Sequence, residues 1–239
     1  MLSITIININ NMMQEFSGVM LLGLPIEVSI LIISGVFYAI CALIVFRPYR
    51  TERNELIGAL LAFLTYQAVA MVAMGIEIYT HNILYGIISA IAILVGSVYM
   101  LKFPLSFFKE NVRKTAFKLA LLIVLVVLGW LVLTPSGTRA MMSFTIWYDV
   151  FVNGVVVGFF MLIAGFKASE RWLRVKALGG GIGVASCCIV SNVAMVSGAI
   201  AVSSVFQFLA PIIIISTLMA GRKMQKQSLS PASADTISA

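Results

Sequence analysis

Histidine occurs once in this 239-residue chain, cysteine three times and acidic residues nine times, and charged side chains make up only 10% of the sequence. Each scarcity excludes something. His81 alone cannot supply the several imidazoles of a haem or zinc site, so no metal or cofactor is expected; in "YTHN" it reads as a solvated loop residue. Cys41, Cys187 and Cys188 sit inside apolar segments, with neither a CxxC pair nor a disulfide framework, and read as small packing residues. No serine is paired with a histidine, and Asp149 is the only aspartate within an apolar run. Covalent and metal-dependent catalysis therefore lack their parts, and the chain reads as a non-enzyme.

Apolar side chains are abundant. They make up 61% of the residues and the mean hydropathy is +1.07, whereas a soluble domain carries about 25% charged residues. The composition is that of a polytopic membrane protein, whose first partner is the lipid bilayer. The net charge of +7 is gathered in short clusters between apolar runs rather than spread along one face. It therefore reads as a topology signal and not as a nucleic-acid surface.

Seven apolar runs are long enough to cross about 30 Å of hydrocarbon. They cover approximately Leu22–Phe46, Leu56–Tyr79, Ile83–Leu101, Phe117–Leu133, Met141–Phe166, Val175–Val196 and Ala199–Ala220. Backbone groups cannot stay unpaired in lipid, and these runs are too long for barrel strands, so the expected fold is an all-α seven-transmembrane-helix bundle over residues 22–220. Every Lys and Arg except Arg139 falls in "RPYRTERNE", "KFPLSFFKENVRKTAFK", "FKASERWLRVK" or "GRKMQKQ". Basic residues stay cytoplasmic, which puts the N-terminus outside and the C-terminus inside. Residues 1–21, with no basic n-region or small-residue cleavage site, are expected to be a retained exported segment. Residues 221–239 are expected to form a disordered cytoplasmic tail.

Polar residues concentrate in the outer half of the runs. Counted inward from the basic loops at 1.5 Å per residue, Glu27, Glu77 and Asp149 fall near the outer boundary, with Asn153 one turn deeper. Asn192 and Gln207 fall in the outer half of the sixth and seventh helices, and Gln67 near the middle of the second. Two readings remain open at this point. The acidic residues are solvated helix ends, with Trp147 and Tyr148 as an aromatic belt; or Asp149 and Asn153, four apart on one helix face, join Glu27, Asn192 and Gln207 around an outward cavity. Such a cavity suits a small cationic or amine ligand.

Gly179, Gly180, Gly181 and Gly183 in "KALGGGIGVASCC" lack the strand and nucleotide domain of a phosphate loop. With Gly179, Gly183 and Cys187 on one stripe, they point to close helix packing. Pro211, inside the seventh run, is expected to kink that helix beside Gln207. The stretches beginning "SGVFYAICALIV" and "NGVVVGFFMLIA" can be laid side by side with Gly35 over Gly154. That alignment opens a three-plus-one-plus-three arrangement of the kind used by some transporters.

The region of helices five to seven, where an aromatic and small-residue helix leads through "GFKASERWLRVKAL" into a glycine-rich span, resembles the seven-helix sensory regions that precede bacterial histidine kinases and diguanylate cyclases. The resemblance implies a sensor or accessory protein of the bacterial inner membrane whose output passes to a cytoplasmic or membrane signalling partner. Size and topology are similar to the SWEET sugar transporters, although Pro25 and Pro211 fall in non-corresponding helices. The topology is also similar to microbial rhodopsins, but "AVSSVFQFLAPIIIISTLMAG" has no lysine to hold retinal. The expected function is a stand-alone membrane sensor or accessory protein that binds a small ligand or membrane partner from outside. A small-solute transporter is the alternative.

Overall fold

Short polar punctuation between the apolar runs sets the chain's turns. The computed structural model describes residues 20–21, 23–134 and 137–228. Two of the turns are built alike. Arg53 (φ 45°) and His81 (φ 53°) end their helices in the left-handed conformation, and the next residue, Asn54 or Asn82, caps the following helix. Asn54 Oδ1 accepts from Leu56 N at 2.8 Å, and Asn82 Oδ1 from Leu84 N at 3.0 Å. A side-chain oxygen there satisfies an N–H that has no partner within the helix.

A two-stranded ribbon, β1 (Met20–Leu21) with β2 (Leu24–Pro25), precedes the bundle. Seven long helices follow: α1 (Ile26–Glu52), α2 (Glu55–Thr80), α3 (Ile83–Leu105), α4 (Glu110–Leu133), α5 (137–167), α6 (Arg171–Val196) and α7 (Ile200–Ser228). α3 is regular over Ile83–Met100 and takes one more turn over Lys102–Leu105. Among the described residues, six of the seven are long and apolar enough to span a membrane. The first turns of α4 carry Glu110, Arg113, Lys114 and Lys118, and the apolar run 119–133 follows them. The protein is an all-α multi-pass membrane bundle.

Small residues set how closely the helices approach. A Cβ at Gly35 would lie 2.6 Å from Val72 Cγ2 and 3.0 Å from Ala68 O, and one at Gly154 would lie 3.4 Å from Ile189 N. The two glycines aligned in the sequence thus each press against the following helix. Gly179 meets the Thr217 side chain, and Gly183 lies against Ile214 and Ala210 O. The packing role expected for the Gly179 stripe is therefore what the α6–α7 seam shows. In a membrane, where burial from water does not drive helices together, such close van der Waals contact does.

α1 and α7 run parallel and close the bundle through Phe37–Phe208, Cys41–Pro211 and Glu52–Arg222. The basic loops meet at one end, where Arg113 pairs with Glu55 at 3.3 Å and Arg222 with Glu52 at 2.9 Å. α7 passes through Pro211 as one helix and continues to Ser228. The expectation of an unfolded tail from Gly221 is corrected for residues 221–228. Arg222 is held by Glu52, and Gln225 Oε1 accepts from Lys176 Nζ at 2.9 Å. Residues 1–19 and 229–239 lie outside the described residues.

Candidate functional site

Asp149 stands where α5 stops being a regular α-helix. Residues Gly137–Tyr148 are α-helical, Asp149–Gly158 form a π-helical segment, and Phe159–Lys167 return to α. α6 has its own π-helical segment at Ser186–Ser191, immediately before Asn192. The two segments face one another, with Gly154 against Ile189. A π-helical stretch changes the direction of the side chains that follow and is often found at functional sites.

Asp149 is only 3% exposed. Its Oδ1 accepts from Asn153 Nδ2 at 2.6 Å and lies 3.3 Å from Ser97 Oγ, and its Oδ2 accepts from Asn192 Nδ2 at 2.7 Å. Asn153 Nδ2 also donates to Ser97 Oγ at 2.7 Å, and Asn192 Nδ2 to Cys188 O at 2.9 Å. Next to this cluster, Cys187 Sγ donates to Gln207 Oε1 at 3.0 Å, which leaves the Tyr38 hydroxyl to donate to Cys187 Sγ at 3.1 Å. Cys187 is thus a hydrogen-bonding link as well as a packing residue. Buried polar groups need such partners, because an unpaired one costs about 1–3 kcal/mol.

The solvated-end reading of Asp149 is corrected by this geometry. α5 starts before the apolar run, at Gly137, so Asp149 enters the bundle after three full turns of helix. There it meets Ser97, well along α3. Counting from the basic loops treated the run as the whole helix and placed Asp149 too shallow. Trp147 is exposed beside Phe151, on the face pointing away from Asp149's partners.

A cavity of about 530 Å³ extends from the exposed α2–α3 turn, at His81 and Ile83, to a floor that includes Gln67, Asp149, Asn192 and Gln207. α2 and α3 are antiparallel, with Glu77 against Gly86 at the mouth and Tyr66 against Gly96 near the floor. Gln67 and Glu77, ten residues apart on α2, are therefore separated by about 15 Å along the axis. Met71, Met74, Met142 and Met195 line the wall between them. No Lys, Arg or aromatic residue is among the lining residues. Two buried polar atoms on residues of this wall, Gln67 Oε1 and Ser89 Oγ, have no hydrogen-bond partner among the described residues. Asn153 Oδ1 is also unpaired, but it lies behind Asp149 and not on the wall.

Of the five residues expected at the site, Asp149, Asn192 and Gln207 line the cavity, and Asn153 supports Asp149 from behind. Glu27 is not among the lining residues. It is half-buried in the first turn of α1, where a carboxylate complements the free N–H groups of a helix start. Glu77, Ser89, Thr145 and Ser203 line the cavity without having been singled out as ligand-binding. The signal that finds this wall is a stripe at helical spacing, Gln67, Met71, Met74 and Ile78 on α2, ending one turn short of His81. Comparison with protein-family models, curated proteins and solved structures found no match.

Proposed function

We propose that this protein is a membrane receptor or accessory protein for a small, amine-bearing cation, which enters at the α2–α3 turn and is held between Glu77 and the Asp149 floor. By the basic-loop rule, that entrance is the exported side and the "GRKMQKQ" end is cytoplasmic. The observation that carries this reading is the cavity's chemistry. Two carboxylates and two unpaired buried oxygens line one apolar-walled space with no Lys or Arg among its lining residues and His81 at its mouth. A carboxylate in such a setting favours a positive charge far more than it does in water, and the unpaired oxygens call for N–H donors.

The output is a helix movement. The paired π-helical segments of α5 and α6 lie between the site and the basic end, and such segments are frequent at functional sites. Shifting α6 against α7 would move "GRKMQKQ" relative to a signalling partner. Titrating purified protein with n-alkylamines by calorimetry tests the binding, with Asp149→Asn and Glu77→Gln as controls. Binding that both variants leave unchanged sinks the proposal.

A second cavity supports the alternative of a small-solute transporter. About 290 Å³ in volume, it lies at the basic end and is lined by Leu60, Met100, Val184 and Ile214 among others. Gln67 and Leu60 on α2, Ile93 and Met100 on α3, and Gln207 and Ile214 on α7 place the two cavities about two helical turns, or 10 Å, apart. Flux of a labelled amine into proteoliposomes separates the two readings, because a sensor gives none.

A further inference from the structure

The carboxylates of the cavity are not together; they are at its two ends. Glu77 lies at the mouth, its Oε1 so close to Gly86 that a Cβ there would be 2.5 Å away. Asp149 lies at the floor, beside Ser97. Gly86 and Ser97 are both on α3, which puts the two acidic groups about 16 Å apart along that helix. The wall between them is mostly methionine and isoleucine, interrupted by Ser89 nearer the mouth and by Thr145, whose hydroxyl donates to Met141 O.

The floor and the mouth differ in how far they are satisfied. Asp149 already accepts from Asn153, Ser97 and Asn192, and it lines the floor of the cavity. Glu77 is half-buried, and its carboxylate has no hydrogen bond or ion pair among the described residues, while its backbone O accepts from His81 N. Gln67, 1% exposed and part of the floor, has an unpaired Oε1, and Ser89, 3% exposed, leaves Oγ unpaired part-way along. Acceptors therefore stand at both ends and at one intermediate point, separated by flexible apolar wall. Met side chains adapt to a methylene chain and add no polarity.

We propose that the ligand is a linear aliphatic polyamine, extended along the cavity with one terminal ammonium at Glu77 and the other at the Gln67–Asp149 floor, and an interior nitrogen at Ser89. This rests on the amine-binding reading above and adds length and charge number to it. A compact monoamine fills only one end. A quaternary ammonium finds neither an aromatic cage nor acceptors it can donate to.

The test is a titration series on the purified full chain in detergent: n-alkylamines, α,ω-diamines of increasing chain length, spermidine and spermine. The expected result is an affinity that rises with diamine length to an optimum, at which the diamine binds about tenfold or more tightly than the alkylamine of equal length. Spermidine or spermine should be at least as tight. Glu77→Gln, at a half-buried carboxylate with no side-chain partner among the described residues, should erase the diamine advantage. Diamines binding no better than alkylamines at any length, or an advantage that survives Glu77→Gln, overturns the polyamine assignment and leaves the amine reading standing. If no amine of any kind binds, both fall.

Discussion

The two cavities of this bundle share helices and differ in nearly every chemical respect. The one opening at the α2–α3 turn has two carboxylates, several hydroxyls and amides, His81 at its mouth, and no Lys or Arg. The one at the basic end has Ser106 and Lys176 as its only polar lining, and Lys176 is occupied by Gln225 Oε1 and lies 4.6 Å over the Trp172 ring. Between them, Tyr38, Phe63, Leu64, Cys187 and Val157 are fully buried in one core cluster. The same fold thus holds a polar cavity and an apolar one on either side of its core. Among the described residues, two of the three unpaired buried side-chain atoms, on Gln67 and Ser89, belong to residues that line the first cavity; around the second, the surfaces are those of an ordinary core.

Substitutions that treat the two cavities oppositely sharpen this contrast. The largest effect is expected from Ile214→Ala, which removes a fully buried side chain between Gly183 and the second cavity. It should cost about 2–5 kcal/mol in detergent unfolding and leave amine affinity unchanged. Asp149→Asn should do the reverse in emphasis. It turns one acceptor of Asn192 Nδ2 or Asn153 Nδ2 into a competing donor, at about 1–3 kcal/mol, and abolishes amine binding. If Ile214→Ala weakens binding as much as Asp149→Asn does, the division between the cavities is wrong.

Glycines provide a gentler pair. Gly179→Ala drives a methyl into Thr217 across the α6–α7 seam and should lower stability by about 1–3 kcal/mol. Gly129→Ala on α4 meets nothing within 4 Å and should raise stability by about 0.4–1 kcal/mol, because alanine reduces the freedom of the unfolded chain. Unfolding midpoints of equal sign for the two would contradict the seam. The smallest effect belongs to Arg222→Ala. Its pair with Glu52 is about half exposed on both sides and should contribute under about 1 kcal/mol, shrinking further as salt is added.

Some of the site was legible before any fold. Asp149, Asn192 and Gln207 were identified because polar side chains in apolar runs are few, and each such residue asks for a partner. Glu27 was grouped with them on depth alone, and depth does not say which way a side chain points. Glu77 was set aside as a helix end for the same reason, although it is the carboxylate at the cavity mouth. Ser97, which ties Asp149 to α3, looked like any small residue of an apolar span.

The sequence alone determined that the chain is an all-α multi-pass bundle and where its long helices run, because lipid forces each apolar run to pair its backbone internally and polar turns mark where a run ends. The polar residues to watch followed from their rarity. Only the tertiary structure decided that α7 stays helical to Ser228. It also decided that Asp149 is buried among Ser97, Asn153 and Asn192. Those outcomes depend on the rotation of each helix and on the two π-helical segments at Asp149–Gly158 and Ser186–Ser191. Rotation is fixed by how small residues let particular helices meet, a property of pairs of segments that no single segment contains.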